Sequence, residues 1–204
     1  MQQVQSAPAT ALEWRSGSPA SVIEWNKLMM WVFIVSDALL FAGFLASYGF
    51  ARLSAPSWPD RSKIFHLDFI ALMTFILISS SATMATAVAA ARKDDRKLVL
   101  RFVLLTILGG LTFLGLQAYE WTNLIREGAR LYTNPWGDPH FGAYFFLITG
   151  FHGSHVLSGV IVLLILALRT ALGKSRASGV ELAGLYWHFV DLVWVFVFTF
   201  FYLI

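Results

Sequence analysis

Five apolar runs dominate this chain, and each is near or above the length needed to cross a bilayer. They fall at about Leu28 to Ala51, Phe69 to Ala91, Phe102 to Trp121, Phe141 to Leu168 and Leu182 to Ile204. A membrane helix takes ~20 predominantly apolar residues. Irregular backbone cannot face lipid, because its polar groups would find no partner there, so the runs read as helices. The fourth is long, which predicts a tilted helix or one that continues past the membrane. The joining segments carry turn chemistry: Pro56, Pro59 and Asp60 in the first, the charged stretch Arg92–Lys97 in the second, Asn134 to Pro139 in the third, and Gly173 and Gly179 around the fourth. The expected fold is therefore all-α and integral to the membrane, with an N-terminal tail over 1–26 and a five-helix membrane domain over 27–204.

Composition agrees. Of 204 residues, 57% are hydrophobic and 13% charged, against ~25% charged in an ordinary soluble domain. No room remains for a separate soluble domain. The chain has no cysteine, which removes disulfides, thiolate catalysis, iron–sulfur clusters and cysteine-ligated metals. The tail contains Glu13, Arg15 and Glu24 and no apolar core before a small-residue cleavage site, so it does not read as a signal peptide.

The net charge is only +3, and the basic residues lie at the ends of the apolar runs, as topology signals rather than a nucleic-acid surface. The N-terminal side of the membrane collects Arg15, Lys27, Arg92, Lys93, Arg96, Lys97, Arg101, Arg169, Lys174 and Arg176. The other side collects Arg52, Arg61, Lys63, Arg126 and Arg130. This asymmetry predicts a cytoplasmic N-terminus and a periplasmic C-terminus.

Ionisable groups at membrane depth are expensive, so each one asks for an explanation. Asp37 lies ~14 Å below the inner end of the first helix, and His188 and Asp191 lie ~9–13 Å from the inner end of the fifth. His152 and His155 share a face of the fourth helix, within Gly150-Phe151-His152-Gly153-Ser154-His155. Glu120 sits at the outer end of the third. Three histidines near carboxylates invite a metal site, yet no H-x-x-x-H or E-x-x-H spacing lies on one helix. Interhelical hydrogen bonds, worth ~0.6–2 kcal/mol each, are the competing reading. A desolvated carboxyl at Asp37 suits proton exchange; alternatively it is a structural carboxyl bonded to Ser36 or to a lipid headgroup. For Glu120 the expectation is an interfacial pair with Arg126 or another loop base.

Four segments together resemble one family. They are Val35-Ser36-Asp37 through Phe41, Gln117-Ala118-Tyr119-Glu120-Trp121, Gly150-Phe151-His152-Gly153-Ser154-His155-Val156, and Tyr186-Trp187-His188-Phe189-Val190-Asp191-Leu192-Val193-Trp194. In this order and spacing the chain resembles subunit III of haem–copper terminal oxidases, the cytochrome c and quinol oxidases, from about Met30 to Tyr202. The resemblance implies a subunit that holds no haem, copper or other metal itself. Haem and copper would sit in partner subunits, the chain would pack on subunit I, and phospholipid would be retained. It also implies support of proton uptake on the inner side and protection against turnover-linked inactivation, in the bacterial inner membrane. Asp37 falls where the family carries a carbodiimide-reactive Glu or Asp. Longer members have seven helices and a lipid cleft between the first two and the rest; this chain resembles the short five-helix form, which lacks those two. Under this resemblance His152, His155, His188 and Asp191 read as a polar seam locking the fourth and fifth helices. The alternatives are the quinol oxidase counterpart, an accessory subunit of a nitric oxide reductase, and a small proton-coupled transporter using Asp37, His188 and Asp191. The transporter has no inverted repeat or broken helix pair to support it.

Overall fold

The structure is a computed structural model that describes residues 25–203; the tail expected over 1–26 lies outside the described residues apart from its last two positions. The elements are α1 (Trp25–Ser54), α2 (Arg61–Ile64), α3 (Leu67–Arg92), α4 (Arg96–Arg126), α5 (His140–Ala171) and α6 (Ala177–Val197), the last running into a π-helical turn at Phe198–Leu203. No strand occurs among the described residues. α1, α3, α4, α5 and α6 with its π turn are each long and apolar enough to cross a membrane. The chain is a multi-pass membrane protein.

Each helix outruns its apolar stretch, because helical hydrogen bonding continues beyond the hydrocarbon. Half of the charged stretch Arg92–Lys97, namely Arg92, Arg96 and Lys97, is therefore helical. Only Lys93, Asp94 and Asp95 turn the chain, with Asp94 at φ 54°. Asp95 then caps α4 by accepting from the Leu98 N–H at 3.0 Å, which satisfies one of the orphan donors of the first turn. Gly173, at φ 70°, supplies the left-handed residue that ends α5.

α3, α4, α5 and α6 pack into one bundle, and α1 lies outside it against α5 and α6. Large apolar side chains such as Leu39, Phe75, Leu108, Ile161 and Leu192 face outward, as lipid-facing residues must. Inside, small residues let the helices close. The Trp187 ring of α6 lies against Gly110 of α4 and Gly159 of α5, and its indole N–H donates to Ser80 Oγ of α3 at 3.1 Å. A second indole, Trp194, donates to Thr74 Oγ1 of α3 at 3.0 Å. The two tryptophans thus fix α6 against α3 two turns apart. Near the end where α1 finishes, an aromatic layer of Tyr48, Trp58, Phe65, Phe141, Phe145, Phe201 and Tyr202 closes the bundle.

Candidate functional site

Asp37 lies on the inward stripe of α1 with Ile34, Phe41 and Tyr48. Positions three, four and seven apart share a helix face, so this stripe is the seam along which α1 meets the bundle. Asp37 is 9% exposed, and its Oδ2 stands 3.3 Å from His155 Nε2 of α5. The contact is within ion-pair range but is not aligned as a hydrogen bond, and Oδ2 has no other partner among the described residues. The other ring nitrogen, His155 Nδ1, is 2.8 Å from the Phe151 carbonyl. A carbonyl only accepts, so Nδ1 carries the hydrogen, and a neutral ring then has a bare Nε2. A bare nitrogen and a carboxylate would repel at this distance. The contact sets an imidazole and a carboxyl at ion-pair distance across the α1–α5 seam.

Aromatic rings and a tyrosine surround His155. Phe41 and Phe151 pack against the His155 ring at centroid separations of 5.5 and 4.7 Å. Tyr186 O–H reaches the His155 carbonyl at 3.1 Å and Ser158 Oγ at 2.6 Å. Ser36 turns away, donating to the Phe33 carbonyl at 2.8 Å. Asp37 is thus engaged across helices, not with its neighbour Ser36.

His152, one turn from His155, meets different company. It is fully buried, with neither ring nitrogen partnered among the described residues. The rings of Phe113 and Trp194 enclose it, with centroids 5.7 and 5.0 Å away. Residues three apart on a helix diverge by about 60°, enough to send His155 to α1 and His152 into the core. His188 and Asp191, also three apart, both face Ser81 of α3. His188 Nδ1 is 2.6 Å from Ser81 Oγ of α3, while Asp191 Oδ1 is buried without a partner among the described residues. The four residues therefore do not line one seam between α5 and α6. His155 joins α5 to α1, and His188 joins α6 to α3. The α5–α6 contact rests instead on Tyr186 with Ser158 and on Trp187 against Gly159.

Glu120 also departs from its expectation. It is 7% exposed and accepts a hydrogen bond on Oε2 from Tyr202 O–H at 3.3 Å, not from Arg126. The π turn brings Tyr202 from the far end of the chain to this position. One turn earlier, Gln117 Nε2 donates to the Thr149 carbonyl at 2.6 Å.

Ser81, Tyr202 and Glu181 are the partners that sequence reasoning passed over. The run Ser79-Ser80-Ser81 inside an apolar helix was a signal for the first. Glu181 takes Lys27 at 2.9 Å and Arg92 at 3.3 Å, tying the near ends of α1 and α3 to α6. Among the described residues, no three His, Asp or Glu side chains converge in a way that could hold a metal ion. The Asp37–His155 pair sets an imidazole against a carboxyl inside an apolar bundle.

Comparison with known proteins adds the following. The family described as Cytochrome c oxidase subunit III matches residues 16–204. A probable quinol oxidase subunit 3 from Staphylococcus saprophyticus is 34% identical over 190 residues, spanning 88% of this chain and 89% of the relative. The cytochrome c oxidase subunit 3 of Alkalihalophilus pseudofirmus is 34% identical over 182 residues, spanning 87% and 86%. A probable quinol oxidase subunit 3 from Staphylococcus aureus is 35% identical over 192 residues, spanning 89% and 90%.

Proposed function

The chain belongs to the cytochrome c oxidase subunit III family, and from that premise we propose that it is the non-catalytic subunit III of a proton-pumping haem–copper oxidase of the cytochrome c type. It packs on subunit I, which with other subunits carries the haem and copper that reduce O2 to water. This chain supplies no redox ligand; it stabilises subunit I, retains phospholipid and supports proton uptake. The observation that carries the proton role is the Asp37–His155 contact of 3.3 Å, an imidazole against a carboxyl in an apolar setting. With the N-terminus cytoplasmic, as the ten-to-five distribution of Lys and Arg supports, the pair lies in the inner half of a bacterial cell membrane, where protons enter such an enzyme.

A second reading concerns the electron donor. Two of the relatives above are named as probable quinol oxidase subunits, so the quinol counterpart stands beside the cytochrome c reading.

Copurification tests the assignment. The tagged chain should bring down a haem-bearing subunit I, and stoichiometric haem or copper on the isolated polypeptide would refute it. Oxidation of reduced cytochrome c against that of a quinol by the purified complex decides the donor. Asp37→Ala should leave initial O2 consumption largely intact and hasten its decay during turnover. An unchanged decay rate would remove Asp37 from the mechanism.

A further inference from the structure

One stretch of the bundle's outer face is unlike the rest. Up to Ile78, α3 turns Leu67, Leu72, Phe75 and Ile78 outward, as a lipid-facing helix does. Beyond Ile78 it exposes no large apolar side chain, and its outward positions are Ser79, Ala82, Ala85, Thr86 and Ala89. At matching depth α4 and α5 keep leucines outward, Leu104 and Leu164. Small residues on a membrane helix let a second backbone come close, where dispersion contacts are made. Ala82, Ala85 and Ala89 are three and four apart, so they share one face.

Beside this strip lies a polar cluster. Ser81, four residues before Ala85 and so next to it on the helix surface, has its Oγ 2.6 Å from His188 Nδ1 of α6, and Asp191 faces the same hydroxyl. Ser81, His188 and Asp191 are all partly exposed. Ser81 stands about 16 Å from the Arg92 end of α3, near the middle of a hydrocarbon layer of ~30 Å. Ionisable groups at that depth face protein or water, since lipid tails offer no hydrogen bond. Nδ1 donates to Ser81 and Ser81 donates on to Asp191, the arrangement in which one hydroxyl serves both, and it leaves His188 Nε2 a bare acceptor. Nε2 has no partner among the described residues, and neither has Asp191 Oδ1. The two unfilled groups are both acceptors, so whatever covers them must bring a donor.

We propose that the α3–α6 face centred on Ser81, His188 and Asp191 receives a transmembrane helix of a different polypeptide, which lies along the Ala82–Ala89 strip and brings a hydrogen-bond donor to the His188–Asp191 cluster. The strip sets the shape of the occupant, a helix that approaches closely, and the cluster sets its chemistry, a hydroxyl, amide or cationic side chain at mid-depth. A lipid tail has neither property. The inference rests on the reading that the chain works inside a complex; it names the face and the side-chain chemistry that the complex uses there.

The complex is purified from membranes through a tag on the full-length chain, and the accompanying polypeptides are quantified by mass spectrometry. Ala85→Trp fills the strip from outside. Position 85 is exposed, so the chain should keep its unfolding midpoint, while the yield of accompanying polypeptide should fall about tenfold, the factor that one lost interhelical contact carries. His188→Leu should lower it in the same way. Leu104→Trp, outward on α4 at the same depth, should leave the yield unchanged. An unchanged yield in Ala85→Trp, or an equal loss in Leu104→Trp, overturns the proposal. Cross-linking gives a second measurement that does not depend on weakened binding. The chain has no cysteine, so Ala89→Cys carries a benzophenone maleimide at one position. Irradiation of the complex should join it to a membrane helix of a different polypeptide; adducts to lipid alone, or to a second copy of this chain, overturn the proposal. Such an adduct in a preparation without haem upholds the face and removes the oxidase reading. A haem-bearing complex whose yield survives Ala85→Trp removes the face and leaves that reading standing.

Discussion

Replacing Gly110 by alanine tests whether Trp187 is the wedge that sets this bundle. A Cβ at position 110 would stand 2.5 Å from Trp187 Cη2 and 2.9 Å from Val160 Cγ2. Carbon atoms settle at about 3.5–4.0 Å, so roughly 1 Å must be found. Trp187 cannot swing freely to supply it. Its other edge lies 2.9 Å from where a Cβ of Gly159 would sit, and its N–H is bonded to Ser80. Overpacking a fixed core costs about 1–3 kcal/mol, and Gly110→Ala should fall in that range despite the gain in helix propensity. Trp187→Phe should also destabilise the protein, by about 1 kcal/mol for the lost hydrogen bond together with the cost of the space vacated. Ser80 Oγ keeps its own bond to the Leu77 carbonyl at 2.6 Å, so no orphan donor adds to that cost. The double variant is the decisive one. With the outer edge of the indole gone, the new methyl has room, and the two costs should fail to add by about 1 kcal/mol or more. The assay is unfolding in mixed detergent–SDS micelles followed by circular dichroism. An unshifted Gly110→Ala midpoint, or additive effects in the double variant, would refute the wedge.

Three further outcomes follow from the polar contacts. Ser81→Ala leaves His188 without its α3 partner and should cost about 1–3 kcal/mol in the same assay, with Ser81→Thr largely restoring stability. At Glu120, Gln can still accept from Tyr202 and should cost less than about 1 kcal/mol, whereas Lys buries an unpaired charge and should cost 3 kcal/mol or more; equal midpoints for the two would refute the Glu120–Tyr202 contact. Glu181→Gln removes both half-exposed ion pairs to Lys27 and Arg92 and should cost less than about 1 kcal/mol, an effect that fades as salt is raised; a salt-independent loss would mean that Glu181 acts otherwise.

The spans were legible because length and apolarity alone determine them. Their boundaries were less so. Asp95 reads in sequence as one more charge in a turn, and only its bond to the Leu98 N–H shows that α4 begins there. The polar residues were legible as residues, since an ionisable group in an apolar run stands out at once. Their partners were not. His152 and His155 look equivalent on one helix face, and the difference between a ring cage and a carboxylate depends on which neighbouring helix fills each 60° sector. Glu120 sits at the outer end of the third apolar run in sequence, and its burial depends on Tyr202, 82 positions later, delivered by a π turn that carries no obvious sequence mark.

Helix α1 is the least buried of the five, with 17% of its apolar core window buried against 33–44% for the others. Asp37 is therefore a candidate proton group and also one of a few tethers on a peripheral helix. A faster decay of activity in Asp37→Ala could arise from either role, and the structure separates them. If the tether matters, Asp37→Asn should rescue, because an amide can donate to His155 Nε2 and hold α1 in place. If the proton matters, Asp37→Asn should fail like alanine while α1 stays docked. The chain has no cysteine, so Ile34→Cys, on the same buried stripe three residues away, reports docking directly through its reactivity with a maleimide. Protection of that thiol in Asp37→Asn, together with rapid inactivation, assigns Asp37 to the proton. Rapid inactivation with the thiol exposed assigns it to the packing of α1. Only the first result supports the proton role proposed for the Asp37–His155 pair.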